Sequence, residues 1–460
     1  MSACCSTRAA QTEVAPPNIV VLFADDAGYA DFGFQGSRQM KTPQLDRLAA
    51  DGVRFTQFYV TASVCGPSRA GLMTGRYQQR FGFEENNVPG IMSPNSAYLD
   101  DEMGLPTNLR TMADYLHDLG YRTAAFGKWH LGTADRYHPT KRGFDEFYGF
   151  RGGARSYFAY RGPAYEKAGL GRWFERGFGN FEEPEKYLTE ALADEACAFI
   201  ERNRNRPFFA YVAFNAVHQP MQADPRDADT FPELEGNRRT LAQMTLALDR
   251  ACGRIVEKLK QAGVYDNTLI VFTNDNGGPI DRNASCNYPF AGVKATLLEG
   301  GIRVPCVMTW PKRLPRGVDY DQPASTLDLL PTFVSAAGGT VPADAELDGV
   351  DLLPYLLGEK EGRPHETLYW KKDVRAAIRD GDWKLLRFTD RPAELFNLAD
   401  DPGEQNNLAA SHPEVVRRLF KKLFAWEVTL ERPMFMLRQA EEQWAADRTD
   451  QFRKPPAPEF

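Results

Sequence analysis

The sequence predicts an α/β fold with a largely parallel central sheet flanked by helices, and three observations carry that prediction. Short, continuous apolar runs alternate with stretches of helical period, the pattern of strands buried on both faces under helices. Four of these runs stop abruptly at polar residues able to do chemistry: Asp25 and Asp26, Lys128 and His130, His218, and Asp275 and Asn276. In an open parallel sheet, ligands collect at the carboxyl ends of the strands. From about residue 360 the pattern changes to short strands separated by turn signals, which predicts a smaller C-terminal α+β subdomain with a short antiparallel sheet.

In chain order, residues 1–17 read as a flexible leader. Residues 19–24 (IVVLFA) form the first buried strand, ending at Asp25-Asp26. Residues 43–51 read as a helix with Leu45, Leu48 and Ala49 on one face. Pro67 suits a first helical position, where its missing N–H costs nothing, so a helix is expected from Ser68 to Met73. The amino end of that helix would direct unpaired N–H groups and partial positive charge toward Cys65, an anion-binding arrangement. Arg69 adds a forked cation suited to an oxyanion.

The same helix-then-strand order recurs. A helix over 107–119 is stopped by Gly120, and a strand over 121–126 leads into Gly127-Lys128-Trp129-His130. A helix over 187–202 precedes a strand over 207–214 and then His218. A helix over 238–262, stopped by Gly263, precedes a strand over 268–273 and then Asp275-Asn276-Gly277-Gly278. One more strand is expected over 304–309. Residues 131–186, rich in Gly, Arg and aromatics, read as a long insertion near the pocket mouth. Beyond 360, strands are expected over 367–370, 374–378, 383–388 and 394–398, with a hairpin turn at Asp380-Gly381-Asp382 and a helix over 413–430. The expected division is a leader (1–17), a main domain (18–360), a C-terminal subdomain (361–435) and a tail (436–460).

Composition narrows the class. The chain has 460 residues, enough to bury a large core, and a net charge of −7, which argues against general nucleic-acid binding. An anionic substrate would need positive charge concentrated in one pocket. The seven cysteines show no CxxC spacing, so a zinc–thiolate site is not expected, and disulfides stay unassigned. No apolar run is long enough to cross a membrane. Ser2-Ala3-Cys4 looks like the end of a bacterial lipoprotein cleavage box, and the expectation is a periplasmic or secreted protein, lipid-anchored if that box is real, with a trimmed leader; a plain cytosolic tail is the alternative.

Asp25, Asp26, Asp275 and Asn276 offer only oxygen ligands, which suit a hard cation such as Ca²⁺ or Mg²⁺. Crowded carboxylates raise one another's pKa unless a cation sits among them. Taken singly, each pair could equally cap the turn after its strand.

Cys65-Gly66-Pro67-Ser68-Arg69 with Thr74-Gly75-Arg76 resembles the signature of type I sulfatases, in the alkaline phosphatase superfamily. Gly127-Lys128-Trp129-His130-Leu131-Gly132, Arg142-Gly143-Phe144-Asp145 and the segment LADDPGEQNNL at 398–408 resemble other blocks of that family, so the likeness spans about residues 18–430. The resemblance implies that Cys65 is oxidised to formylglycine by a maturation enzyme and works as the aldehyde hydrate. It also implies that Asp25, Asp26, Asp275, Asn276 and the modified Cys65 hold Ca²⁺. Arg69, Lys128 and Lys294 would stabilise the sulfuryl oxygens, His130 would hydrogen-bond the hydrate, and His218 would protonate the leaving oxygen.

The expected substrate is a sulfated carbohydrate, with marine galactans such as carrageenan one case. Arg155, Tyr157, Arg161 and Trp173 are candidates for lining sugar subsites, with Arg155 named as substrate-binding; ordinary loop packing is the alternative. Two other functions remain open from sequence: a phosphonate monoester or phosphodiester hydrolase of the same superfamily, and a non-catalytic binder of sulfated glycans.

Overall fold

The computed structural model describes residues 15–454. Ten strands form the main sheet: β1 (Asn18–Ala24), β2 (Val53–Tyr59), β3 (Arg122–Lys128), β4 (Glu146–Phe150), β5 (Glu175–Arg176), β6 (Phe208–Ala213), β7 (Thr268–Asn274), β8 (Arg303–Thr309), β9 (Val318–Tyr320) and β10 (Ala324–Ser325). Their order is β10-β2-β8-β7-β1-β6-β3-β4-β5, with β9 also paired to β2. The centre, β7-β1-β6-β3-β4, is parallel throughout.

β1 shows why the apolar runs are continuous. Ile19, Val21 and Phe23 join the hydrophobic core on one face of the sheet, while Val20, Leu22 and Ala24 join the core on the other. All six are fully buried. Successive strand side chains point to opposite faces, so a sheet covered on both sides requires apolar residues at every position. The long helix Gly236–Gln261 packs against Leu188–Asn203 on one of these faces.

A second sheet, β11 (Thr367–Lys372), β12 (Arg375–Asp380), β13 (Trp383–Arg387) and β14 (Glu394–Asn397), is antiparallel in chain order. The helix Pro413–Glu427 covers it with Leu419, Leu423 and Trp426 against Ile378, Leu385 and Leu395. Buried charge joins the two sheets: Lys384 Nζ reaches Glu299 at 2.8 Å and Glu404 at 2.9 Å. Tyr59 donates to Glu299 at 2.6 Å, and Trp370 Nε1 donates to the carbonyl of Val60.

Several expectations are corrected. The helix expected from 107 spans only Met112–Asp118, because Thr111 and Asp114 form a capping box that fixes its start. The helix expected from Pro67 begins at Cys65, with extended Val64 preceding it. Pro67 is then its third residue, a position whose N–H also lacks an intrahelical partner, so the ring costs nothing there. The 131–186 insertion contributes β4 and β5 to the main sheet. β2, β9 and β10 carry too weak an alternation to be read from sequence, and β2 also carries a register shift between Phe55 and Phe58. The expected tail holds a helix, Gln439–Gln451. That helix is mostly polar and is held by tertiary contacts, so it left no periodic signal.

The expected leader, including Ser2-Ala3-Cys4, lies outside the described residues up to position 14, as does most of the Pro-rich end. Among the described residues every cysteine is free, and no helix is long and apolar enough to cross a membrane.

Candidate active site

β7, β1, β6 and β3 are consecutive neighbours and parallel, so their carboxyl ends open on one rim of the sheet. The polar residues at those four ends therefore meet, though they are scattered over 250 positions of the chain. The helix Cys65–Thr74 brings Cys65 and Arg69 to the same place.

Cys65 Sγ lies 3.6 Å from Asp25 Oδ1 and 3.2 Å from Lys294 Nζ. Lys294 Nζ also contacts both carboxylate oxygens of Asp26, at 2.7 and 2.9 Å. Lys128 Nζ donates to Asp25 at 2.6 Å and lies 3.9 Å from Asp275. Arg69 donates from Nε and Nη2 to Asp275 Oδ2 at 3.2 and 3.0 Å, and its Nη1 donates to the carbonyl of Lys128. His218 Nε2 stands 3.5 Å from Asp26. All but Lys294 and His218 are buried.

The backbone is bent to hold this set. Asp26 (φ 60°) and His130 (φ 59°) both occupy the left-handed region, at a cost on the order of 1 kcal/mol or more each. Asn283 Nδ2 donates to the carbonyl of Asp26, and the Asp26 N–H donates to Asp275 Oδ1. Gly277 is required for close approach, since a Cβ there would stand 1.8 Å from the carbonyl oxygen of Gly300. A Cβ on Gly153 would stand 2.5 Å from His130 Nε2, so this glycine leaves room beside the imidazole.

Electrostatics follow from crowding. Burial, then repulsion from Asp275, pushes the Asp25 carboxyl up to about 7 despite Lys128 and Arg69. Burial also pushes up on Asp26 and Asp275, but the cations win: Lys294 and His218 hold Asp26 below its usual range, and Arg69 and Lys128 do so for Asp275. Burial, then Asp275, raises the Cys65 thiol well above its ordinary value, which disfavours the thiolate. Burial pulls His218 down to about 4, and burial with Lys128, Arg69 and Lys294 pulls His130 well below the histidine range.

The donor set fits a hard cation. Asn276 turns its amide nitrogen to Asp26 Oδ1 at 2.7 Å, while its buried Oδ1 has no hydrogen-bond partner. Asp25, Asp26, Cys65 and His218 present ligand atoms all within 4.8 Å of one another. An unpartnered amide oxygen beside three carboxylates is what a Ca²⁺ site supplies. Both ring nitrogens of buried His130 also lack protein partners, leaving them for a group bound in the cleft.

Cys65, Arg69, Lys128, His218, Lys294, Asp25, Asp26, Asp275 and Asn276 are thus joined by direct contacts, and His130 feels the charges of four of them. Arg155 is not part of this set. It is buried and spent on Glu183 (2.5 Å) and the carbonyls of Ser156 and Arg172, so the expected role in binding substrate is withdrawn. Burial of an arginine is tolerated only with such partners. Tyr157 is fully buried and is a prop: its single hydroxyl proton is shared between the carbonyls of Asn215 (2.6 Å) and His218 (2.8 Å). Trp173 stacks on Tyr165 within the insertion.

Sequence reading missed Asn86, whose Oδ1 accepts from Gly66 N–H at 2.7 Å and so caps the Cys65 helix. It also missed Glu85 and Lys372, in contact with each other at the pocket wall. The paired acids Glu84-Glu85 facing the paired bases Lys371-Lys372 were the available signal; Lys371 holds Glu84 at 2.7 Å.

Residues 17–339 match the family described as Sulfatase, and 293–429 match the C-terminal region of N-sulphoglucosamine sulphohydrolase. The chain is 36% identical to N-acetylgalactosamine-6-sulfatase of Homo sapiens, over 81% of this chain and 72% of that one. It is 32% identical to steryl-sulfatase of Mus musculus, over 94% and 84%. The crystal structure of Ps i-CgsB in complex with k-i-k-neocarrahexaose superposes with a TM-score of 0.85 at 36% identity, covering 95% of this chain and all of that one.

Proposed function

The chain belongs to the sulfatase family and is a sulfuric ester hydrolase, and from that premise we propose that it desulfates a carbohydrate of the carrageenan type, using a formylglycine made from Cys65 beside a bound Ca²⁺. The observation that carries the reading is the contact set at position 65: one sulfur against a lysine and a carboxylate, beside an unpartnered amide oxygen. Asp25, Asp26, Asp275 and Asn276 would hold the ion, whose charge polarises sulfuryl oxygens and the position-65 side chain. Formylglycine, as its hydrate, supplies a nucleophilic hydroxyl and a second hydroxyl for expelling sulfate, which Ser or Cys lacks.

The protein's own groups divide the remaining work. Lys128, Lys294 and Arg69 would stabilise negative charge on the sulfuryl oxygens, and being pre-placed they need not reorganise. His218 Nδ1 lies 2.7 Å from the carbonyl of Gln219. A carbonyl only accepts, so Nδ1 carries the proton and Nε2 is the position that exchanges one. A bound sulfate ester brings anionic charge beside Nε2, which favours its protonation, and His218 then protonates the departing alkoxide oxygen. A ring nitrogen of His130, both of which lack protein partners, would accept a hydrogen bond from the hydrated position-65 side chain.

Mass spectrometry of the Cys65 peptide from co-expression with a formylglycine-generating enzyme tests the modification. Release of sulfate from a panel of defined sulfated oligosaccharides, beside aryl sulfate and aryl phosphate, tests the chemistry. An unmodified thiol in protein that still turns over, or faster aryl phosphate than aryl sulfate hydrolysis, overturns the reading.

A further inference from the structure

A cavity of about 350 Å³ opens directly onto Asp26, His218 and Lys294. One of its walls is the helix Gln439–Gln451, which is stapled to the machinery on both sides. Ala445 packs between Val64 and Ala295, the neighbours of Cys65 and Lys294. Arg448 donates to the carbonyl of Lys294 at 3.2 Å and grips Asp281 with both Nη atoms at 2.6 and 2.8 Å. This fixes Trp444 at the cavity mouth, 40% exposed.

Arg282 faces Trp444 from the opposite segment, its guanidinium 5.0 Å from the ring centroid. Its shortest ion pair among the described residues is 3.9 Å, to an Asp281 already taken by Arg448. Its side chain is half exposed. An arginine held over an aromatic ring and lacking a committed carboxylate is a pre-oriented anion receptor. The other cations lining the cavity are committed to carboxylates, Lys372 to Glu85, Lys294 to Asp26 and Arg448 to Asp281. Glu441, one turn before Trp444, offers an acceptor for hydroxyls.

We propose that Arg282 and Trp444 form a specificity subsite for a second anionic sugar, the neighbour of the one whose sulfate is removed. This rests on the carbohydrate sulfatase reading above and adds to it that the preferred substrate is a polyanionic chain. The subsite lies outside the residues that touch the reacting sulfate, so it acts on binding of the extended substrate.

The test compares kcat/KM for a disulfated oligosaccharide with kcat/KM for 4-nitrophenyl sulfate, in wild type, Arg282→Gln and Trp444→Ala. The expected result is a fall in the oligosaccharide-to-aryl ratio of about tenfold or more, through KM, for each variant. Arg282→Lys, which keeps the charge, is expected to restore part of the ratio. Equal losses on both substrates, or an unchanged ratio with thermal stability retained, overturns the subsite. If wild type hydrolyses neither substrate, the sulfatase chemistry itself has failed, which is a separate result from an unchanged ratio.

Discussion

Lys294 Nζ stands 3.2 Å from Cys65 Sγ although 229 positions separate the two residues. The same ammonium holds Asp26, and burial works against its charge while the Asp26 carboxylate reinforces it and raises its pKa. A fixed positive charge thus sits beside the atom that is to become the nucleophile. Replacing it with a neutral side chain of similar length, Lys294→Met, is expected to lower kcat by about 10²–10³. Steady-state kinetics on an aryl sulfate measures this, and a loss under threefold excludes Lys294 from stabilising the reacting group.

Cys65→Ala removes any oxidisable sulfur and should abolish turnover. Cys65→Ser is expected to permit capture of substrate without release, because a serine hydroxyl has no partner hydroxyl to expel sulfate. Intact-mass spectrometry after incubation with aryl sulfate should show one added sulfuryl group. Wild-type turnover by the serine variant contradicts the assigned role.

Chelation with EGTA should remove activity, and added Ca²⁺ should restore it. The ion binds the folded cage, so Ca²⁺ should also raise Tm, by an amount that grows with its concentration. Asn276→Ala removes the unpartnered oxygen and should shift the Ca²⁺ dependence of Tm to higher concentrations. Full activity in protein shown by elemental analysis to be metal-free contradicts a catalytic cation.

Tyr157→Phe deletes the hydroxyl that ties the carbonyls of Asn215 and His218. The expected stability loss is about 0.5–1.5 kcal/mol, the net worth of one hydrogen bond, because the Asn215 carbonyl still accepts from the His218 N–H. Because the loop carries His218, kcat should fall most for substrates with poor leaving groups. A uniform loss across good and poor leaving groups indicates support of the fold alone.

His365 Nε2 lies 2.6 Å from Asp328 Oδ1, joining the start of the second sheet to the main domain. Burial opposes charge on this imidazole, but the Asp328 carboxylate overrides it and raises the pKa above 6.5. A raised folded value means that the protonated pair stabilises fully below the unfolded value of about 6.5. That stability then fades as pH climbs through the folded value. Melting curves of wild type and His365→Asn from pH 5.5 to 9 should therefore differ most at the acid end and converge at the alkaline end. A constant Tm difference across the series contradicts the linkage.

The strands and helices nearest the site were legible because burial on two faces imposes a continuous apolar run, as in 19–24 and 268–273, and a capping glycine ends a helix. Asp25, Asp26, Lys128, His130, His218, Asp275 and Asn276 were legible as candidates because each follows such a run, whereas Cys65, Arg69 and Lys294 were named through the family resemblance. Arg155 was misread because a sequence shows a charge but not whether Glu183 neutralises it. The helix Gln439–Gln451 was read as a tail because its polar surface carries little periodicity, and its order comes from Asp281 and the packing of Ala445.

By itself the sequence determined the central strands β1, β3, β6 and β7 and the polar residues that terminate them. Those are local properties, set by side-chain period and by backbone preference within a few residues. Only the tertiary structure decided that β7, β1, β6 and β3 lie side by side, that β8 runs antiparallel between β2 and β7, and that the C-terminal helix walls the cleft. Strand order and charge pairing depend on contacts between residues far apart in the chain, and no local pattern encodes the distance between them.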